Sequence, residues 1–152
     1  MSIRPARPDE AAAVSALAMR AKAAWGYDEA FLEACRHELT WTPEEVERSA
    51  PLVWAEGDVL VGATAALDAP PDGRLWAVFV DPSRHGEGIG RALLAALLVQ
   101  AREAGYRSLT IGADPNAEGF YRAVGAVRVG EVESGTRAGR ILPLLRFDLA
   151  SG

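Results

Sequence analysis

Several features are scarce in this sequence, and each shortage excludes a class of protein. The only cysteine in 152 residues is Cys35, so no disulfide can form within the chain. It falls among helical residues, which favours a buried apolar role over a nucleophilic one. The longest apolar stretch, residues 92–99, is far shorter than the ~20 residues that span a bilayer. The first five residues lack the apolar segment of a secretory signal, so we expect a cytoplasmic protein with no membrane partner.

Positive charge is also in short supply. Lysine and arginine number 16 against 21 aspartates and glutamates, which gives a formal net charge of −5. No cluster of basic residues interleaved with aromatics is present, so a nucleic acid is not an expected partner. No metal site is predicted. Hydrophobic residues make up 49% and charged residues 24%, the composition of a globular protein, and we expect one domain over residues 1–152.

The order of the sequence patterns predicts an α+β fold. Helical periodicity with a cap or proline start opens near Pro8, Asp28 and Thr42, and alternating strand patterns follow. The predicted strands cover 52–55, 59–67, 75–80, 108–111, 127–132 and 141–149, with helices over 88–104 and 115–124. A short strand is also expected at Ile3. This order predicts a three-layer α/β/α arrangement of a mixed, mostly antiparallel sheet with a central strand–helix–strand unit.

A glycine-rich segment between a strand and a helix is the main chemical signal. After Val80 and Pro82, glycines stand at alternate positions, Gly86, Gly88 and Gly90. Glycine permits a tight turn and a close approach of the backbone to a ligand. Backbone N–H groups and the positive end of the helix dipole then favour a pyrophosphate, with Arg91 adding a cation at the rim.

Three other interpretations of the glycine-rich loop can be compared with a pyrophosphate site. A nucleoside-triphosphate loop requires Gly-Lys-Ser/Thr, and this segment reads Gly90-Arg91-Ala92. A dinucleotide-binding fingerprint requires Gly-x-Gly-x-x-Gly, whereas the spacing here is Gly-x-Gly-x-Gly. A tight connection that needs glycines only for its turn stays open on the residues alone.

The segment resembles the first hallmark of the GNAT superfamily of N-acetyltransferases. That hallmark is Val-x-Pro, then Gln/Arg-Gly-x-Gly-x-Gly/Ala at the start of a helix, and His85 replaces the Gln/Arg. A second hallmark, Asn-x-x-Ala-x-x-Phe/Leu-Tyr followed by Gly-Phe/Ala, resembles residues 114–126. There Asp114 replaces the leading Asn, and we favour it as a helix cap over a cofactor ligand.

The resemblance implies acetyl-CoA as co-substrate and acetyl transfer to a primary amine of a small molecule, peptide or protein. It implies that the backbone of the strand ending at Val80 contacts the pantetheine arm and that Tyr121 protonates the departing thiolate as general acid. The implied cofactor-binding residues are Val78, Phe79, Val80, His85, Gly86, Glu87, Gly88, Ile89, Gly90, Arg91, Asn116 and Phe120.

The general base and the acceptor site are less defined. Some relatives have a glutamate where this chain has Leu109, and the remaining candidates are water or the side chains of Glu29, Glu33, His37 and Asp68. Trp25 and Tyr27, around Gly26, either line the acceptor pocket with a cation–π face or pack in the core. Trp41, Trp54 and Trp76 are interpreted as packing residues. A mobile loop over 130–139, with Arg137 and Arg140, is expected near the acceptor side.

Two other functional classes are alternatives to an enzyme. A non-catalytic acyl-CoA-binding sensor or regulatory module would keep the glycine loop but would not need the acid Tyr121. A different nucleotide-phosphate binder is disfavoured, because the lysine and the acidic ribose partner are absent. A homodimer is a further candidate assembly.

Overall fold

The computed structural model describes residues 1–134 and 139–149 of the chain. The strands are β1 Ser2–Pro5, β2 Leu52–Glu56, β3 Val59–Leu67, β4 Asp72–Val80, β5 Ser108–Gly112, β6 Val127–Glu133 and β7 Ile141–Asp148. The helices are α1 Ala11–Ala23, α2 Glu29–Leu39, α3 Pro43–Ser49, α4 Ile89–Glu103 and α5 Glu118–Ala123. Short 3-10 turns at Pro8–Glu10, Pro82–Arg84 and Pro115–Ala117 precede α1, the glycine loop and α5.

The strands are hydrogen-bonded in the order β1-β2-β3-β4-β5-β7-β6. Residues group into two compact units, each made from two separate stretches of chain. The first unit holds Met1–Ala65 and Val78–Leu94, and the second holds Ala66–Ala77 and the described residues from Ala95 onward. Strand β4 therefore begins in the second unit and ends in the first.

In the first unit, β1, β2 and β3 pair antiparallel in sequence order. The side chains of α1 that recur every three or four residues form its buried face, as helical periodicity predicts. These residues are Val14, Leu17, Ala18 and Ala21. Helix α2 likewise buries Phe31, Cys35 and Leu39. Burial of such apolar faces is the main stabilisation of these short helices, which are marginal in isolation.

The helix starts follow from side-chain caps that the sequence predicts. The Asp28 carboxylate accepts a hydrogen bond from the Phe31 N–H at 2.8 Å, and α2 starts at the next residue. At α3, the Thr42 hydroxyl accepts from the Glu45 N–H at 3.2 Å. The Glu45 carboxylate accepts from the Thr42 N–H at 3.1 Å, which completes a capping box at the predicted helix start.

In the second unit, β4 pairs parallel with β5, and β5, β7 and β6 continue antiparallel. The parallel register joins Asp72–Arg74 to Ser108–Thr110. The predicted strand over 75–80 was therefore wrong at its start, since β4 begins at Asp72. The pairing with β5 draws Asp72 into the strand, and the Ser108 hydroxyl donates to the Asp72 carboxylate at 2.7 Å.

Two further boundary predictions need correction. The expected loop over 130–139 was wrong at its start, since Gly130–Glu133 belong to β6 and pair with β7. Arg137 lies outside the described residues. The expected helix over 115–124 divides into a 3-10 turn and α5, because Asp114 caps a tight first turn. The predicted α+β class, with a mixed and mostly antiparallel sheet around a strand–helix–strand unit, is confirmed.

Candidate active site

Asp81, directly after the end of β4 and ahead of the glycine loop, is hydrogen-bonded on both its backbone and its side chain. The Asp81 N–H donates to the Val61 carbonyl at 2.7 Å, which ties this end to β3. The Asp81 carboxylate accepts from the backbone N–H and the hydroxyl of Ser83, at 3.0 and 2.8 Å. These bonds, and then the nearby Arg20, hold the pKa of Asp81 below its ordinary value. Asp81 is therefore an ionised cap on the turn that leads into the loop.

The loop presents an open backbone surface. Gly86 and Gly88 adopt φ values of +83° and +80°, which side-chain-bearing residues rarely adopt. A Cβ at either position would meet no protein atom within 4 Å. The chain then enters α4 at Ile89, and its first-turn N–H groups have no earlier helical carbonyl to bond. Such a surface suits an anion that approaches the backbone closely.

Gly62 on β3 allows the first turns of α4 to pack close to the sheet. A Cβ at Gly62 would lie 2.6 Å from Leu93 Cδ1 and 3.2 Å from Ile89 Cγ2. Both side chains are buried, so the first turns of α4 rest directly on this bare backbone position. The side chain of Ile89 therefore faces the core, and the whole residue is 2% exposed. The sequence gives no signal for Gly62, because the contact joins residues far apart in the chain.

Arg84 fastens the loop on its other side. Its guanidinium bonds both oxygens of Glu56, at 2.7 and 2.9 Å, and both oxygens of Glu87, at 3.0 and 2.9 Å. Arg84, followed by the Trp54 indole, lowers the pKa of Glu56 to about 2. The two carboxylates raise the pKa of Arg84 above its ordinary value. His85 and Arg91, which flank the glycines, are exposed.

In the second unit, Asp114 organises the start of the second hallmark. Its carboxylate accepts from the backbone N–H and the side-chain amide of Asn116, at 2.9 and 3.0 Å. The predicted cap is thus confirmed, and Asn116 is exposed. Arg140 lies 3.7 Å from the same carboxylate and is largely buried. This ion pair joins the end of the expected loop to the second hallmark, while the mobility of the loop stays a prediction.

Tyr121 and Phe120 take opposite environments on α5. Tyr121 is 3% exposed, whereas Phe120 is 36% exposed. The two rings meet edge to face, with centroids 5.2 Å apart. The Tyr121 carbonyl accepts from the N–H groups of Val124 and Ala126, at 3.1 Å each, which closes the helix after one and a half turns. The phenol of Tyr121 is therefore buried and lies edge to face against the exposed ring of Phe120.

The break between α1 and α2 separates its two aromatic residues. Trp25 is 45% exposed. Tyr27 is half-buried and stacks on Phe31 with ring centroids 4.3 Å apart. The Lys22 ammonium lies 5.3 Å from the Tyr27 ring centroid, so a cation of the chain itself already occupies this aromatic surface. The core interpretation is wrong for Trp25, while Tyr27 packs within the first unit.

The candidate bases differ in their surroundings. Glu29 and His37 are exposed on α2, and Glu33 pairs with Arg36 at 3.0 Å. Arg74 bonds Asp68 at 2.6 Å and holds the pKa of this carboxyl below its ordinary value, which makes Asp68 a weaker proton acceptor. Across residues 1–134 and 139–149, no group of three or more His, Cys, Asp or Glu is placed to hold a metal ion. Among the same residues, no helix is long and apolar enough to cross a membrane.

Comparison with known proteins assigns the family. The model of the acetyltransferase (GNAT) family matches residues 16–126, which include both hallmarks. The chain belongs to the GNAT acetyltransferase family, as the resemblance predicts.

Relatives and solved structures agree with this assignment. Serotonin N-acetyltransferase 2 of Oryza sativa subsp. japonica is 32% identical over 64% of this chain and 46% of its own length. The chain spans about half the length, or less, of the curated relatives it matches. A GCN5-related N-acetyltransferase of Rhodopseudomonas palustris superposes with a TM-score of 0.77 at 23% identity, covering 97% of this chain and 95% of that one. PaiA N-acetyltransferase of Thermoplasma acidophilum, solved in complex with coenzyme A, gives 0.76 at 15% identity, covering 97% and 98%. These likenesses confirm the fold.

Proposed function

We propose that the protein transfers the acetyl group of acetyl-CoA to a primary amine. The observation that carries this proposal is the open glycine loop, in which Gly86 and Gly88 bare the backbone immediately before the 15-residue helix α4. Membership of the acetyltransferase family and the coenzyme A bound to the PaiA neighbour support the same cofactor. The family model covers both motifs from which the cofactor was predicted.

The loop from His85 to Arg91 is the proposed pyrophosphate site. The backbone N–H groups of the glycines and of Ile89 would bond the phosphate oxygens, while the α4 dipole and Arg91 add positive potential. The backbone of Val78, Phe79 and Val80 would pair with the pantetheine arm as an added strand. Asn116 and Phe120, both exposed, are the proposed cofactor contacts of the second motif.

The proposed reaction is direct attack. The amine nitrogen bonds to the thioester carbonyl carbon, and the carbon–sulfur bond of the tetrahedral intermediate then breaks. The nitrogen loses one proton to water or a base, and the departing thiolate takes one proton from Tyr121. Burial of the phenol suits this role, because it fixes the donor and excludes competing water.

The acceptor is proposed only as a primary amine of a small molecule, peptide or protein. The rice relative is named for serotonin, which makes an arylalkylamine a useful first probe. Trp25, with its exposed indole, and Tyr27 are the proposed acceptor-side residues. The cytoplasmic location, the single domain and the homodimer stay predictions.

The test is incubation with acetyl-CoA and a panel of amines that includes serotonin, short diamines and peptides with free amino ends. Release of the CoA thiol, together with a gain of one acetyl group in the mass of the acceptor, would support the proposal. Binding of acetyl-CoA without turnover on any amine would instead support the non-catalytic sensor. Failure to bind CoA at all would overturn both.

A further inference from the structure

The glycine loop carries an acid where an anion is proposed to bind. Glu87 stands between Gly86 and Gly88, so its carboxylate belongs to the same short segment as the N–H groups of the cradle. A carboxylate beside a pyrophosphate site lowers affinity through like-charge repulsion. The loop therefore needs a counter-charge, and Arg84 supplies it: its Nε lies 2.9 Å from Glu87 Oε2.

The same guanidinium reaches across to the β2–β3 hairpin. Its two terminal nitrogens bond the two oxygens of Glu56, the last residue of β2, at 2.7 and 2.9 Å. The Trp54 indole N–H donates to Glu56 at 3.3 Å and orients that carboxylate. A planar guanidinium that is engaged along its terminal nitrogens and at Nε has little freedom left to rotate.

We propose that Arg84 is the positioning residue of the glycine loop, fastening it to Glu56 on β2 and cancelling the charge of Glu87 so that the loop accepts the pyrophosphate of CoA. This inference rests on the proposed function. Arg84 contributes +1 and the two glutamates −2, so the cluster carries −1. Removal of Arg84 would leave −2 and a loop that is no longer tied to the hairpin.

Fold stability is not the main role of this cluster. The three side chains are between 30% and 47% exposed, and ion pairs in such settings contribute little to stability and are screened by salt. Their effect should instead appear where geometry and local charge matter, in the binding of an anionic ligand. This distinction gives the test a readout that a merely structural residue would not move.

The main variant is Arg84→Gln, with Arg84→Lys and Arg84→Gln/Glu87→Gln as partners. In Arg84→Gln we expect the dissociation constant of CoA to rise about 5- to 20-fold, from one uncompensated charge and a displaced loop. The rise should shrink in high salt. Lysine keeps the positive charge but cannot bond both oxygens of Glu56 as the guanidinium does, and the double variant removes the negative charge of Glu87. Each should therefore recover part of the affinity.

Two controls separate the loop from the fold. Arg48→Gln removes the same charge from an exposed position in the last turn of α3 and should leave CoA affinity unchanged. S-acetylpantetheine supplies the acetyl group without the pyrophosphate. Arg84→Gln should therefore lower kcat/KM for acetyl-CoA and leave kcat/KM for S-acetylpantetheine close to that of the unmodified protein.

The outcomes are distinct. If the unmodified protein does not bind CoA, the proposed function fails. If it binds CoA and Arg84→Gln binds equally well, only the inference about Arg84 fails. Equal losses with acetyl-CoA and S-acetylpantetheine, together with a lower Tm, would show a structural role and would also overturn it. If Glu87→Gln recovers nothing in the Arg84→Gln background, the charge-cancelling half is refuted.

Discussion

A single methyl group on Gly88 is the sharpest probe of the glycine loop. In Gly88→Ala the new Cβ points into space that no protein atom occupies within 4 Å, so the unliganded protein suffers no clash. It does suffer backbone strain, because φ is +80°. A non-glycine residue in that region costs about 1–2 kcal/mol, and so any loss of ligand affinity must be separated from a loss of stability.

Gly57 provides the matched control. It lies in the β2–β3 turn at φ +63°, and a Cβ there also meets nothing within 4 Å. Gly57→Ala and Gly88→Ala should therefore lose similar stability, about 1–2 kcal/mol or roughly 2–8 °C in Tm for a chain of this size. Only Gly88→Ala places the methyl group where the phosphate must approach.

The expected affinity loss follows from the bonds at stake. Displacing the pyrophosphate from one charge-assisted backbone hydrogen bond costs about 1.5–3 kcal/mol, which corresponds to roughly 10- to 150-fold in the dissociation constant of acetyl-CoA. Calorimetric titration, with thermal unfolding of the same samples, measures both effects. Equal acetyl-CoA affinity in the two variants would refute the assignment of the loop, whatever their stabilities.

Four further predictions concern other parts of the chain. Tyr121→Phe should lower kcat by about 10²–10⁴-fold with little change in acetyl-CoA affinity. The control Tyr106→Phe loses a hydroxyl that donates to a backbone carbonyl and should leave kcat unchanged. Equal kcat values for the two variants in steady-state kinetics would contradict the acid role of Tyr121. Gly62→Ala should lower the free energy of unfolding by about 1–3 kcal/mol, because the new methyl group overpacks against α4. An unchanged free energy of unfolding in a denaturant titration would disprove the close packing of α4 on Gly62. A hydrogen bond from the Arg4 side chain, and then one from the Arg7 backbone, lower the pKa of Glu10 from its ordinary value of 4.5 to about 2. The contribution of ionised Glu10 to the free energy of unfolding is therefore fully present above pH 4.5 and is lost as the pH falls toward 2. The stability deficit of Glu10→Gln, about 1–3 kcal/mol at pH 7, should accordingly narrow below pH 4.5 in urea titrations, and a constant deficit would contradict the linkage. Trp25→Ala should raise the amine KM and change stability by less than about 1 kcal/mol, while an unchanged KM would remove it from the acceptor site.

Local patterns in the sequence predict local structure well. The caps at Asp28 and Thr42 depend on residues three positions away, and the structure contains both. The buried face of α1 follows from a repeat of three and four residues. The glycine loop is visible for the same reason, since its glycines and the helix after them are neighbours in the chain.

Contacts between distant residues account for the rest. Asp72 at the start of β4 pairs with Ser108 of β5, 36 positions later. Arg84 meets Glu56 across 28 positions. Arg140 pairs with Asp114, although α5 and β6 lie between the two residues in the sequence. Each is a single charged or polar residue without periodicity, and nothing in one sequence distinguishes it from a solvated surface charge.

The burial of Cys35 has a practical consequence for every assay that follows CoA by its thiol. Cys35 is the only cysteine of the chain and is 2% exposed, so a thiol-reactive dye meets almost no background from the folded protein. After complete denaturation the same dye should count one thiol per chain. The chain thus carries its own concentration standard, and the rate at which the dye reaches Cys35 reports opening of the α1–α2 region in the same cuvette.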